Sequence, residues 1–218
     1  MLNDQEYIST KAIRQGEQQL SAPFSDLADR IMAVFGVRPL NIIYDILEHN
    51  QQPRLQIICE RNKEKKKLWE ASESNQDTDI ERYVNNFFKE LAQNDDRFRW
   101  KNLYLLVDAF EPTARLEANS KISDQQLLAL KEKLTEYPLW AIKKNTHSGI
   151  FFFYTNEQVG IYNNEETKKI FNREYFAMIK PYDEFSYLDV STELIEMDSK
   201  AHFDTVYQSN WFYYHKDH

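Results

Sequence analysis

Five carboxylates between residues 45 and 111 stand at the ends of segments rich in β-branched and aromatic residues: Asp45 and Glu48, Glu60, then Asp108 and Glu111. Acids that converge from adjacent strands can hold Mg²⁺, a hard cation that takes oxygen ligands. Asp45, Glu60 and Asp108 are therefore candidate metal ligands. Asp45, Glu60 and Lys63 are the matching catalytic candidates for a metal-dependent nuclease, with Lys63 or Lys65 near the attacked phosphate. The plainer reading of the same acids is a solvent-facing edge of an amphipathic sheet.

The order helix, strand with Asp45, strand with Glu60, helix, strand is loosely similar to the restriction-endonuclease-like nuclease core. That resemblance implies an acid on one strand and Glu-x-Lys on the next. Here the tripeptide is Glu60-Arg61-Asn62, and Lys63 comes one position late. Strand side chains alternate faces, so Lys63 points to the wrong side unless the strand bulges. The basic run Arg61 to Lys67, with Trp69 beside it, offers phosphate contacts and a ring that could stack a base. Glu64 and Glu70 partly neutralise the run, and the formal net charge of −8 opposes nucleic acid as a partner.

Other reactive side chains are sparse. His49 and His147 occupy polar turns, and His215 and His218 sit in a terminal tetrapeptide; no zinc pattern of Cys and His occurs. The single cysteine, Cys59, ends a strand-like run and reads as a small core residue. Only four glycines are present, Gly16, Gly36, Gly149 and Gly160, all scattered. They cannot build a dinucleotide fingerprint, a P-loop or a nucleophile elbow. No cofactor is expected. Two consecutive aromatic runs, Phe151 to Tyr154 and Trp211 to Tyr214, bring more apolar area than one strand face needs. Trp211, Tyr213 and Tyr214 are the candidate partner-binding residues.

These residues need elements to position them. Residues 4–20 could form a surface helix. Leu27, Ile31, Val34 and Phe35 keep helical spacing from Ser25 to Gly36. Residues 40–47 and 54–59 read as a hairpin, and residues 61–79 as a mobile loop. A capping box of Thr78 and Glu81 opens the helix carrying Val84, Phe87 and Phe88. Residues 103–107 read as a central strand, and Ser123 with Gln126 opens another helix. Strands are predicted at 139–143 and 150–154, with a third at 159–162. A helix is predicted over 165–179 and a strand over 185–190. A terminal hairpin is predicted from residues 205–208 and 211–215.

The order Ser-Asp, helix, Pro-Leu, strand, polar turn, strand occurs from Ser25 and again from Ser123. The expectation is an α+β protein, with mixed or antiparallel sheets and packed helices, as two pseudo-repeated α-β-β-α units. It is treated as a single globular domain over 1–218, with halves at 21–95 and 100–181 and C-terminal strands over 182–218. Hydrophobic residues make up 42% of the 218, enough for a sizeable core. The N-terminus shows no secretory signal pattern, and no apolar run spans a bilayer, so a cytoplasmic protein with no membrane contact is expected. The leading functional expectation is a non-catalytic interaction or regulatory module that binds another protein or itself. The alternatives are the metal-dependent nuclease and a small-molecule-binding protein with an aromatic pocket.

Overall fold

The computed structural model describes residues 1–74 and 79–217. Among them are ten α-helices and two three-stranded mixed sheets, an α+β architecture as expected. The chain divides into two compact units, Met1–Thr113 and Ala114–His218. No helix of the described residues is long and apolar enough to cross a membrane.

In the first unit, α1 (Asp4–Arg14) opens on a capping box between Asn3 and Glu6. Helix α2 (Phe24–Phe35) buries Leu27, Ala28, Ile31 and Phe35, and Gly36 ends it in the left-handed conformation (φ 64°). Strands β1 (Asn41–Ile46) and β2 (Pro53–Cys59) form the predicted antiparallel hairpin, and β3 (Tyr104–Ala109) joins β2 in parallel. Residues 62–74, expected as loop, form α3 (Asn62–Ser74). Its charge hid it: Leu68 is fully buried, while six of the other eight residues from 62 to 70 are exposed. Helix α4 (Ile80–Leu91) is capped by Asp79, which accepts the Glu81 N–H at 2.9 Å. Thr78 of the expected capping box lies outside the described residues. Helices α2, α3 and α4 cover one face of the sheet around Leu55, Ile57, Cys59 and Val107.

Helix α5 (Phe110–Ser120) follows β3 directly. In the second unit, α6 (Asp124–Lys133) starts on the Ser123–Gln126 capping box read from the sequence. Strands β4 (Leu139–Lys144) and β5 (Gly149–Phe153) pair antiparallel. The third strand expected at 159–162 is instead helix α7 (Asn156–Tyr162). A Thr155–Gln158 capping box nucleates it, and the expected turn at Asn156-Glu157 is its first turn. After α8 (Glu165–Ile179), residues 185–190 run without regular structure rather than as a strand. The buried Asp183 carboxylate takes the N–H groups of Tyr187 and Leu188 at 2.9 and 3.0 Å, so a ladder cannot use them. The parallel partner of β5 is β6 (Ile195–Ser199), a strand the sequence reading missed. The expected terminal hairpin is two helices, α9 (Lys200–Val206) and α10 (Trp211–Asp217). Their aromatic residues fall three and four apart, which suits a helix packing on a sheet.

Each unit runs helix, hairpin, two helices, parallel strand, and each sheet has the hairpin's second strand at its centre. The likeness is one of element order and strand pairing; the repeat expected from the sequence is not established by it. One close approach fixes the second unit. A Cβ at Gly149 would lie 2.2 Å from Cε2 of the fully buried Tyr175, whose hydroxyl donates to Asn119 Oδ1 at 2.7 Å.

Candidate functional site

Hairpin arithmetic governs the carboxylates of the first unit. In the β1–β2 register Asp45 stands opposite Arg54, at the start of β2, and Glu60 follows the end of that strand. Six residues at about 3.3 Å each separate the two acids by roughly 20 Å. The structure therefore does not bring Asp45 and Glu60 together. Asp108 stands beside Ile58, at the same end as Glu60. Glu60 accepts from Arg14 Nε at 3.0 Å. Asp108 accepts from Lys65 Nζ at 3.3 Å and from the Ala109 N–H at 3.1 Å. Lys63 is exposed on α3; Lys65, not Lys63, turns to the acid. Among the described residues no three His, Cys, Asp or Glu groups gather as a metal site.

The face of this sheet turned from the main core carries a polar network beside the apolar Ile43 and Ile58. Arg54 binds Asp45 through Nε at 3.0 Å and Nη2 at 2.5 Å, and its Nη1 lies 3.3 Å from Glu6 on α1. The bonds to Asp45 raise the Arg54 pKa against the cost of burial, and Glu6 adds to the effect. Gln56 Nε2 donates to Glu6, and Asn41 Nδ2 donates to Thr10 Oγ1 at 3.0 Å. Sequence reasoning missed this network. Its signal was present in β2, where Arg54 and Gln56 alternate with Leu55 and Ile57.

Cys59 is fully buried, and burial pushes its thiol up to about 12, with Glu64 adding to the effect, so it is held as an inert thiol. His49 is exposed in the first hairpin turn. His147 lies in the second unit, its pKa lowered by burial and then by Arg115. His218 lies outside the described residues, and the His215 ring stacks on Trp211.

In the second unit the corresponding sheet face is aromatic. Phe151, Phe152 and Phe153 are all fully buried, so both faces of β5 are covered: Phe151 and Phe153 pack against α8, and Phe152 packs against α9 and α10. Trp211 stacks on Phe203 at 4.1 Å and lies parallel to Trp140 at 6.2 Å. Lys143 and Lys200 stand over the two indoles at 5.7 and 5.4 Å. Tyr214 is 1% exposed and donates to Asp198 Oδ2 at 2.7 Å; burial first, and then that bond, raise its pKa. His202 Nδ1 lies 2.9 Å from Asp198 Oδ1. Of the three aromatic candidates, Tyr214 belongs to the core, Trp211 lies at its margin, and Tyr213 stands in solvent at 55% exposure. Its neighbour Phe212, which the sequence reading did not single out, is 72% exposed.

No protein-family model matches the chain, and comparison with curated proteins and with solved structures gives no match.

Proposed function

We propose that the chain is a non-catalytic protein-interaction module whose contact surface is the outer side of α10. The observation that carries this reading is the exposure of Phe212 and Tyr213, whose ring centroids lie 5.6 Å apart. Trp211 and Tyr214 already supply the rings that dock α10 on the sheet. Folding therefore leaves two adjacent rings in water, where each keeps apolar area that a partner could bury. Aromatic side chains of this kind anchor interfaces because they bring area at low entropic cost. The separation of Asp45 from Glu60 removes the geometric basis for a shared metal between them, which also favours a binding role. A cytoplasmic location accompanies this reading, supported by the lone cysteine.

A photo-crosslinking amino acid placed at Tyr213 tests it in cells that make the protein. The expected result is one discrete adduct, lost when Phe212 is also changed to Ser, and no such adduct from the same group at exposed Glu132. Equal labelling at both positions, or none at Tyr213, would overturn the reading. The Phe212→Ser change should alter unfolding free energy by no more than about 0.5 kcal/mol, as expected for an exposed side chain.

A further inference from the structure

We propose that the groove between α1 and the free edge of β1 receives an extended peptide segment of a partner, which joins the first sheet as a fourth strand. This proposal rests on other residues than those of α10 and stands or falls independently of them.

Strand β1 is at the edge of its sheet. The Leu47 N–H donates to the Gln52 carbonyl at 2.9 Å, which sets the phase of the hairpin ladder. With an unbroken register, Asn41, Ile43 and Asp45 exchange bonds with β2, while Ile42, Tyr44 and Ile46 turn their peptide groups outward. The Ile42 N–H shows the direction: Asn41 Oδ1 takes it at 2.8 Å. Edge groups of this kind template another strand.

The edge also has a channel beside it. A groove of about 500 Å³ has residues of β1 as one wall, α1 as another, and residues 18–21 closing the third side. An exposed strand edge takes an extended peptide by strand addition, and a channel beside it leaves room for that peptide's side chains. The lining divides by chemistry as such a ligand requires. Gln5 and Gln18 offer amides to peptide groups, while Ile13, Leu20 and Phe24 offer apolar contact to alternate side chains. The charged lining is Glu6 and Asp45 against Arg54 alone, already engaged with both. With two acids to one base there, and −8 over the chain, the fitting occupant is a peptide that alternates apolar and polar residues and carries no acids.

A phage-displayed library of eight-residue peptides, panned on the full chain, is the probe. Retained peptides should alternate apolar and polar residues. Bound, they should slow hydrogen exchange at Tyr44 and Ile46. N-methylation at alternate peptide residues should weaken binding by about tenfold or more, because it removes the strand bonds. Ser9→Trp, which fills the groove from α1, should abolish binding while leaving the urea midpoint unchanged; Gln5→Trp serves if the first variant unfolds. Selection of the same peptides by Ser9→Trp, affinity that survives N-methylation, or protection at α10 instead of β1 would overturn the proposal. So would a concentration-dependent dimer that protects the same amides, since the occupant would then be a second copy.

Discussion

Asp108 and Asp198 stand at the same place in two like-ordered units. Each is the penultimate residue of the parallel strand, beside Ile58 in one sheet and Phe152 in the other. Each accepts the N–H of the next residue, Ala109 at 3.1 Å and Ser199 at 2.7 Å, and each is followed at once by a helix. Their surroundings differ completely. Asp108 meets Lys65, whereas Asp198 meets His202 and a buried tyrosine hydroxyl. Topology sets where the acid stands. The outward residues of the central strand, Arg54, Gln56 and the buried Ile58 in one case and Ile150 and Phe152 in the other, decide what covers that face. A polar face asks for a partner at each buried group, because an unpaired one is costly, and Gln56 Oε1 goes without one among the described residues. An aromatic face needs only volume and ring geometry.

That contrast can be broken most forcefully at Phe152. Phe152→Ala should cost about 3–5 kcal/mol through the cavity it leaves, measured by urea unfolding followed through Trp140 and Trp211. A cost under about 1 kcal/mol would mean the aromatic face is not a packed core. On the polar network, Arg54→Ala should cost about 2–4 kcal/mol, chiefly by leaving the buried Glu6 carboxylate without its cation. Combining Arg54→Met with Glu6→Gln should restore part of it, since a neutral amide needs no cation and its oxygen still takes the N–H groups of Gln56 and Asn3. If the double variant is as unstable as the single one, group-by-group matching is the wrong description.

At neutral pH the third effect is the smallest, because it appears only in base, where it separates the units by onset. The buried Cys59 thiol, at about 12 against an ordinary 9.0, keeps its proton in the folded state while the unfolded chain loses it. The folded state then binds more protons, so stability is complete below about pH 9 and falls as pH rises toward 12, by about 1.4 kcal/mol per pH unit. In the second unit Tyr175 and Tyr214 are raised from an ordinary 10.0, chiefly by burial, so its loss begins near pH 10. Cys59→Ala should remove the earlier phase from a base titration followed by hydrogen exchange. An unchanged onset near pH 9 would refute this assignment.

The hairpins and the long amphipathic helices were legible because a period of two or 3.6 survives in Ile42 to Ile46 and in Ile80 to Leu91. Helix α10 was not, since four consecutive aromatic residues satisfy strand propensity as well as a helix. Only the sheet face at Phe152 selects between them, by taking Trp211 and Tyr214 and leaving the pair between them outside. Strand β6 was hidden by Glu196 and Asp198, acids on the face away from the main core. At the candidate acid site the missing step was within reach of the sequence: an antiparallel pair sets Asp45 against Arg54, far from Glu60.

The ring of Tyr175 lying across Gly149 has a historical consequence. With 2.2 Å between a would-be Cβ and the ring, no descendant of this chain can gain a side chain at 149 while the ring keeps its place. The order of events is constrained: the ring at position 175 must shift or shrink, disturbing the hydroxyl bond to Asn119, before position 149 can grow. The two sites should therefore drift as a pair across relatives, with glycine and a large ring travelling together.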